Sequence, residues 1–181
     1  MEAQNDFIAE TKLAGVFIIK RPTFEDSRGF FREFYRKNDL EARIGFSFEP
    51  AQANHSHSIK DTLRGIHIAP WHKLITVTEG SVQQIIVDTR VDSPTFGQYE
   101  SITLDNQTAV FVPAGFGNGF LALTDEVDYI YLATDYWSPG KELYLLYNDP
   151  IVNIHWETKS PIVSEKDLQN KFLKDLFPEK F

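Results

Sequence analysis

The sequence predicts an all-β fold, a jelly-roll β-sandwich with short peripheral helices and one C-terminal helix. Short apolar or alternating segments follow one another from about residue 48 to residue 148, separated by Gly and Pro residues. The chain holds 15 Phe among its 181 residues, and aromatic side chains favour half-buried pleated surfaces. Many short strands without a long helix are typical of a sandwich or barrel. The length suits one domain, which we expect to span residues 1–181.

The first 45 residues are predicted to hold two strands and one short helix. The apolar run GVFIIK (15–20) indicates a strand, RPTFEDSRG (21–29) a turn, and FFREFYR (30–36) has the composition of a second strand. In KNDLEARIG (37–45), Asn38 is the predicted helix cap and Gly45 the predicted stop.

The central part of the chain is predicted to alternate between strands and turns. KLITVTEG (73–80) and SVQQIIVDTR (81–90) follow each other directly, which predicts a hairpin. Further strands are expected in YESITL (99–104), AVFVPAG (109–115), GFLALTD (119–125) and VDYIYLATDYW (127–137). In the tail, Ser164 and Asp167 form a capping-box pattern, and Leu168, Phe172 and Leu176 recur at helical spacing. This pattern predicts the C-terminal helix.

Composition excludes several classes of function. The formal net charge of -8 argues against a general partner among nucleic acids or anionic membranes, but it leaves room for a local basic pocket. The chain has no cysteine, which excludes disulfides and thiolate chemistry. Its start, MEAQNDFIAE, lacks the basic and apolar regions of a signal peptide, and no apolar run approaches the length of a membrane span. We therefore expect a cytoplasmic protein.

A metal site is the first chemical possibility. His55 and His57 lie at H-x-H spacing, which puts two imidazoles on one face of a strand. Jelly-roll metal sites usually take their last histidine from a P-x-G-x-x-H turn, and here that turn ends in Asn118, a poor ligand for a transition metal. We expect no metal.

Proton transfer is the second possibility, carried by the segment TLRGIHIAPWHKL (62–74). Abstraction of a proton beside a carbonyl needs a base, a group that holds the enolate charge, and an acid. His67 fits the base, and Lys73 or Arg64 fits the charge holder. Arg64 and His67 would face one pocket only if the strand bends at Gly65. The alternative is a structural histidine among solvated surface charges.

Several segments occur in an order that resembles one family. They are DSRGFFREFY, QANHSHSIKDTLRGIH, VDTRVDSPTFGQY, VPAGFGNGF, YLATDYW, YNDP and VSEKD, and the match around them runs from about residue 15 to residue 168. The chain resembles the dTDP-4-dehydrorhamnose 3,5-epimerases. The resemblance implies a cupin-type jelly roll, a homodimer, no cofactor, and inversion at C3 and C5 of a nucleotide-linked 4-keto-6-deoxy sugar.

The resemblance also implies roles for individual residues. His67 matches the base, Asp167 the partner that orients it, Tyr131 the acid and Lys73 the residue that stabilises the enolate oxygen. Positions that match binders of the nucleotide sugar are Arg28, Glu33, Gln52, Asn54, Arg64, Glu142 and Lys166. The guanidinium fork of an arginine suits a diphosphate. No role is implied for His72.

Three departures from the family pattern bear on the substrate. Asn118 replaces an active-site histidine and cannot carry charge near neutral pH. The loop from His67 to Lys73 is short, and Trp137 stands where the family has a tyrosine that stacks on the nucleotide base. These features resemble a branch that acts on GDP-linked 4-keto heptoses, so the partner is expected to be a dTDP- or GDP-linked sugar. The alternatives are a nucleotide-sugar 3,4-ketoisomerase and a non-catalytic cupin that binds a sugar nucleotide or a metal.

Overall fold

A computed structural model describes residues 7–181, and fourteen strands dominate it. In chain order they are β1 (Ile8–Glu10), β2 (Phe17–Lys20), β3 (Phe24–Asp26), β4 (Gly29–Phe31), β5 (Gln52–Ile59), β6 (Thr62–Ile68), β7 (Lys73–Glu79), β8 (Val82–Asp88), β9 (Tyr99–Leu104), β10 (Thr108–Val112), β11 (Phe116–Ala122), β12 (Glu126–Ala133), β13 (Leu143–Tyr144) and β14 (Ile162–Val163). The helices are α1 (Lys37–Ile44) and α2 (Leu173–Leu176), with 3-10 turns at Asp167–Gln169 and Pro178–Lys180. Residues 1–6, which begin the MEAQNDFIAE segment that argued against a signal peptide, lie outside the described residues.

Two six-stranded sheets pack face to face, which confirms the predicted sandwich. The first sheet has the order β1-β2-β10-β7-β12-β5. The second has the order β13-β6-β11-β8-β9, with β14 parallel to β6. The strands β3 and β4 form a separate hairpin. Among residues 7–181, no helix has both the length and the apolar character needed to cross a membrane.

The main core lies between the two sheets. Ile75 and Val127 of the first sheet and Ile86 and Phe116 of the second belong to one cluster of buried side chains. The outer face of the second sheet is also covered, because Leu173 and other residues of the C-terminal segment pack on it. The outer face of the first sheet packs against Leu40 of α1 and Phe48. Strands covered on both faces have continuous apolar sequences, which is why β8 shows no alternation.

The predicted hairpin at Gly80 is wrong. Strand β7 pairs with β10 and β12 in the first sheet, whereas β8 pairs with β9 and β11 in the second. The connection crosses between the sheets and is held by a bond from the Ser81 amide to Thr124 Oγ1 at 3.0 Å. Gly80 has a φ of 75°, and a Cβ there would meet the Glu126 carbonyl oxygen at 2.1 Å. A tight turn therefore joins two layers rather than two neighbouring strands.

The helices differ from the prediction at their ends. Helix α1 begins after Arg36, and Asn38 lies within its first turn, so Asn38 is not the cap. Its end is as predicted, with Gly45 in the left-handed conformation at a φ of 82°. The segment FFREFYR forms a strand only as far as Phe31, and the segment predicted as a turn contributes β3.

A single C-terminal helix is also wrong, because tertiary contacts interrupt it. The Asp167 amide donates to Ser164 Oγ at 3.1 Å, as the capping pattern predicts. Asn170 then adopts an extended conformation. Lys171 bridges to the segment after β13, with Leu146 N donating to its carbonyl oxygen at 2.8 Å. The extended link separates the first 3-10 turn from α2.

Candidate active site

A cavity of about 270 Å³ opens between the two sheets. Its lining includes six residues that the sequence predicted for catalysis or binding: Asn54, Arg64, His67, Lys73, Asn118 and Tyr131. Lys73 and Tyr131 belong to the first sheet, on β7 and β12, and His67 belongs to the second, on β6. The cavity is therefore approached by ionisable groups from opposite sides.

The bend predicted at Gly65 is present. In the pairing of β6 with β11, His67 faces Asn118 and Arg64 faces Phe120, so two residues of β6 oppose one residue of β11. This is the pattern of a β-bulge. Gly65 has a φ of 112°, and a Cβ there would meet Gly119 Cα at 2.7 Å. The bulge puts Arg64 and His67 on the same side of the strand, at the cavity.

His67 forms a pair with Asp167, 100 residues further along the chain. His67 Nε2 lies 3.3 Å from Asp167 Oδ1. Burial raises the pKa of Asp167, but hydrogen bonds from His67 and neighbouring groups outweigh it and leave that pKa below its ordinary value. Tyr144 packs edge-on against the imidazole, with ring centroids 5.2 Å apart. The imidazole is therefore held in one orientation by a carboxylate and an aromatic ring.

Lys73 is buried, which excludes a solvated surface charge at this position. Its Nζ donates to Asn118 Oδ1 at 2.9 Å and lies 3.8 Å from Glu142 Oε1. Burial lowers the pKa of Lys73 to about 8, although the Glu142 carboxylate opposes that fall. The ammonium also lies 5.5 Å from the centre of the Tyr131 ring. Burial raises the pKa of Tyr131, and the charge of Glu142 raises it further.

Glu142 lies behind the cavity and has several partners of its own. Its Oε2 accepts hydrogen bonds from Trp137 Nε1 at 3.2 Å and from the Tyr144 hydroxyl at 3.3 Å. The Trp137 amide in turn donates to Gln52 Oε1 at 3.0 Å, and 49% of Trp137 is exposed. Glu142 thus connects Lys73 to two aromatic side chains, the partly exposed Trp137 and Tyr144.

The remaining predicted binders fall into two groups. Arg64 is fixed by bonds from Nε to Ser58 Oγ at 3.0 Å and from Nη2 to the His57 carbonyl at 3.1 Å. Gln52 Nε2 donates to Asn54 Oδ1 at 2.8 Å, and Lys166 Nζ lies 4.6 Å from the centre of the Tyr144 ring. Arg64 and Asn54 line the cavity, whereas Gln52 and Lys166 do not belong to its lining in the described part of the chain.

Arg28 and Glu33 do not join the site in the part of the chain that the structure describes. Arg28 is exposed in the β3–β4 turn, where its guanidinium pairs with Asp26. Glu33 forms ion pairs with Arg21 and Arg36. Neither residue belongs to the lining of the cavity as given by residues 7–181.

Three of the other histidines have structural partners. His72 Nδ1 accepts the Ala114 amide at 3.2 Å, its ring stacks on Phe111, and burial lowers its pKa. His55 and His57 both bond to Asp128 Oδ1, at 2.9 Å and 3.1 Å. Across residues 7–181 no cluster of three or more His, Cys, Asp or Glu side chains is arranged to hold a metal ion.

Sequence reasoning missed the polar lining residues Ser56 and Tyr129, and also Gln84 and Tyr144, which contact residues of the lining. Tyr129 lines the cavity and donates to Gln84 Oε1 at 2.7 Å, and both are buried. A signal for them exists, because two glutamines interrupt the apolar run of β8, and Tyr129 shares a strand face with Tyr131. A buried amide requires a hydrogen-bond partner.

Comparison with known proteins identifies the family. The family model of dTDP-4-dehydrorhamnose 3,5-epimerase matches residues 10–175. A dTDP-4-dehydrorhamnose 3,5-epimerase of Pseudomonas aeruginosa is 38% identical over 173 residues, 91% of this chain and 96% of the relative. A dTDP-4-dehydrorhamnose 3-epimerase of Streptomyces niveus is 35% identical over 161 residues, 86% of this chain and 78% of the relative.

Solved structures agree with the fold. The dTDP-6-deoxy-D-glucose-3,5-epimerase of Legionella pneumophila, solved in complex with dTDP-4-keto-L-rhamnose, superposes with a TM-score of 0.90. It is 34% identical, and the alignment covers 96% of both chains. The chain belongs to the dTDP-4-dehydrorhamnose 3,5-epimerase family, which confirms the cupin-type jelly roll and the epimerase activity predicted from its sequence.

Proposed function

We propose that this protein epimerises a dTDP-linked 4-keto-6-deoxy sugar at C3, C5 or both, with His67 as the base and Tyr131 as the acid. One observation carries the proposal: His67 and Tyr131 face one cavity from opposite sheets, with Lys73 also in its lining. Inversion requires that a proton leaves one face of the sugar ring and that another arrives on the opposite face. Groups on opposite walls meet that requirement.

The pairing of His67 with Asp167 supports the proposal that His67 is the base. Because the pKa of Asp167 is lowered, its carboxylate is ionised at neutral pH and needs a donor. His67 Nε2–H supplies that donor, which leaves the lone pair on Nδ1. This tautomer can accept a proton from carbon, and the ionised Asp167 stabilises the imidazolium that forms.

The burial of Lys73 supports its role at the enolate. Proton loss from C3 or C5 leaves a negative charge on the oxygen at C4, and a protonated Lys73 in a dry site stabilises that charge more than a solvated lysine does. Tyr131 then gives its phenolic proton to the opposite face of the carbon, and the enolate returns to a ketone. Before the next turnover His67 gives up the proton that it has gained to solvent, and Tyr131 regains one from solvent. No cofactor takes part in this scheme.

The nucleotide is proposed to bind at the rim of the cavity. Arg64 is held by Ser58 and the His57 carbonyl, and its guanidinium suits a diphosphate. We propose that Trp137 stacks on the base through its exposed ring, that Gln52, Asn54 and Lys166 complete the rim, and that the buried Glu142 supports Trp137 from behind. The names of the relatives favour thymidine, and a GDP-linked 4-keto heptose is the competing substrate. A cytoplasmic location is proposed because nucleotide sugars are made and used there.

Asn118 is proposed to limit the number of inverted centres. It cannot gain or lose a proton near neutral pH, and a relative with a name restricted to 3-epimerisation is 35% identical to this chain. Sugar stereochemistry read by NMR after full turnover tests this point. Double inversion at equal rates would contradict it.

The proposed function is tested by incubation in D2O with dTDP-linked and GDP-linked 4-keto sugars. We expect deuterium at C3 or C5, with inverted stereochemistry at the same carbon and with the carbonyl still at C4. A relocated carbonyl would identify a 3,4-ketoisomerase. Binding of the nucleotide sugar without deuterium exchange would identify a non-catalytic cupin.

A homodimer is also proposed, formed through the β3–β4 hairpin. Phe24, Phe30 and Phe31 of this hairpin are 64%, 55% and 68% exposed, and clustered apolar side chains of this kind mark an interface. Arg28 does not line the cavity of its own subunit. Contact through the hairpin offers Arg28 a position at the cavity of the partner subunit. Sedimentation of a Phe30→Ser, Phe31→Ser variant tests this proposal. A wild-type protein that sediments as a monomer would overturn it.

A further inference from the structure

A buried carboxylate lies beside Lys73 at more than hydrogen-bond distance. The side chains of Glu142 and Lys73 are each 6% exposed, and Glu142 Oε1 is 3.8 Å from Lys73 Nζ. A hydrogen bond between an ammonium and a carboxylate is shorter, about 2.7–2.9 Å. The ammonium donates instead to Asn118 Oδ1, at 2.9 Å. Opposite charges attract strongly in a dry site, so a carboxylate that is free to turn would close on the ammonium.

Two aromatic donors hold the other oxygen of this carboxylate. Glu142 Oε2 accepts from Trp137 Nε1 at 3.2 Å and from the Tyr144 hydroxyl at 3.3 Å. Trp137 lies in the connection between β12 and β13, and its amide is tied to Gln52 Oε1 at 3.0 Å. Tyr144 is anchored in β13 by the pairing of that strand with β6. Glu142 therefore cannot turn toward Lys73 without losing a hydrogen bond.

A carboxylate fixed at this distance has two effects on the ammonium. Its negative charge favours the protonated form of Lys73, which burial disfavours. Its oxygen stays too far away to take up a hydrogen of the ammonium. An ammonium has three hydrogens, and the bond to Asn118 uses one of them. Lys73 is thereby kept charged while hydrogens remain for an oxygen of a bound molecule.

We infer that Glu142 is a positioning residue, held by its two aromatic donors at a distance from Lys73 that leaves the ammonium charged and free to donate to the C4 oxygen of the sugar. The inference rests on the proposed function, in which Lys73 stabilises the enolate. Glu142 acts through Lys73, because it does not belong to the cavity lining given by residues 7–181. Trp137 gains a second task beside stacking on the nucleotide base, since its indole N–H determines where the carboxylate lies.

The other ionisable groups around Lys73 stay in place when residues 137, 142 and 144 are substituted. The ring of Tyr131, on β12, has its centre 5.5 Å from Nζ. Arg64 and His67 of β6 and His55 of β5 line the same cavity. A change in the pKa of Lys73 in such variants therefore reports on the carboxylate.

The decisive variant is Trp137→Phe, which keeps an aromatic ring and removes the indole donor. The carboxylate of Glu142 is then free to close on Lys73. We expect the pKa of Lys73, followed by NMR of its labelled Nζ in the substrate-free protein, to rise by about one unit. We expect kcat to fall about tenfold, because a hydrogen of the ammonium is now bound to Glu142. The double variant Trp137→Phe, Tyr144→Phe removes both donors and should shift this pKa further in the same direction.

The opposite shift is expected from Glu142→Gln, which keeps the size of the side chain and removes its charge. The pKa of Lys73 should fall from about 8 by about one unit. The basic limb of the activity profile should move with it, which lowers kcat at pH 8 about fivefold. Two substitutions thus lower activity while they move one pKa in opposite directions, and a general loss of stability would not produce opposite signs.

Two controls separate the indole donor from the loss of a tryptophan. Trp156→Phe removes an indole Nε1 that donates to the Tyr147 carbonyl oxygen at 2.9 Å, outside the described lining of the cavity. It should leave both kcat and the pKa of Lys73 unchanged. In a Glu142→Gln background, Trp137→Phe should cause no further change in that pKa, because the carboxylate through which it acts is gone.

The inference is overturned if neither Trp137→Phe nor the double variant raises the pKa of Lys73, or if Glu142→Gln does not lower it. It is also overturned if Trp137→Phe raises this pKa equally with and without the Glu142 carboxylate. Failure of the proposed function looks different, since wild-type protein would then show no deuterium exchange. The signs of the Lys73 pKa shifts still test the positioning role in that event.

Discussion

The titration of Lys73 is expected to move stability and activity in opposite directions. Burial lowers the pKa of this residue from 10.5 to about 8, whereas the unfolded chain keeps the ordinary value. Between these pH values the unfolded chain binds one more proton than the folded protein, so the free energy of unfolding rises with pH. Each pKa unit corresponds to about 1.4 kcal/mol, which makes the whole effect about 3 kcal/mol. The destabilisation caused by burying the Lys73 ammonium is fully present below pH 8 and absent above pH 10.5.

Activity should follow the fraction of Lys73 that is protonated. The charged ammonium stabilises the enolate oxygen, so kcat is expected to fall as pH rises through about 8. Deuterium exchange measured from pH 6.5 to pH 10 gives the profile. Lys73→Arg keeps the charge over this range, and its remaining activity should lack that basic limb.

Stability is measured by urea unfolding of wild type and Lys73→Met at a series of pH values. Other titrating groups contribute nearly equally to both proteins, so the difference between the two free energies isolates Lys73. We expect that difference to change by about 3 kcal/mol between pH 8 and pH 10.5, in favour of wild type at the higher pH. A constant difference, together with a kcat that is flat through pH 8, would refute the reasoning.

Further variants test the other members of the site. His67→Asn should abolish both deuterium exchange and inversion, a loss of at least about 10²-fold. Tyr131→Phe should lose inversion more than exchange, because His67 can still take a proton and return deuterium on the same face. Asp167→Asn should give a smaller loss than His67→Asn, since it orients the imidazole without touching the sugar. Each is followed by NMR in D2O. Treatment with EDTA should leave activity intact, and a loss that one divalent ion restores would contradict the proposed chemistry.

The strands of this fold were predictable because their signals are local. Apolar composition and turn residues give the approximate position of most strands without knowledge of their neighbours. The partner of a strand is not a local property. Glu79 and Val82 are separated by two residues, which suggests a hairpin, but both flanking strands are buried on two faces. Only the packing of two layers shows that the chain crosses between sheets at Gly80.

The C-terminal segment shows how tertiary contacts override local propensity. The capping pattern at Ser164 and Asp167 forms a real hydrogen bond, yet the helix it predicts stops after one turn. The backbone at Lys171 gains hydrogen bonds to Tyr144 and Leu146, which a continuous helix would forgo. The buried residues are consequently Leu173 and Phe177 rather than the predicted stripe of Leu168 and Phe172.

His67 and Lys73 were candidates from the residues alone, whereas Asp167 was reached only through the resemblance, because no spacing rule connects it to His67 across 100 positions. Gln84 and Tyr129 escaped notice since a tyrosine and a glutamine in apolar strands suggest core and edge positions. Asn118, by contrast, stood out in the sequence as a departure from the family pattern. A histidine at that position can adjust its protonation to its neighbours, whereas an asparagine has one donor end and one acceptor end. Only the acceptor end suits an ammonium, so the replacement makes the direction of the surrounding hydrogen bonds matter. Asn118 accordingly presents Oδ1 to Lys73 Nζ, at 2.9 Å.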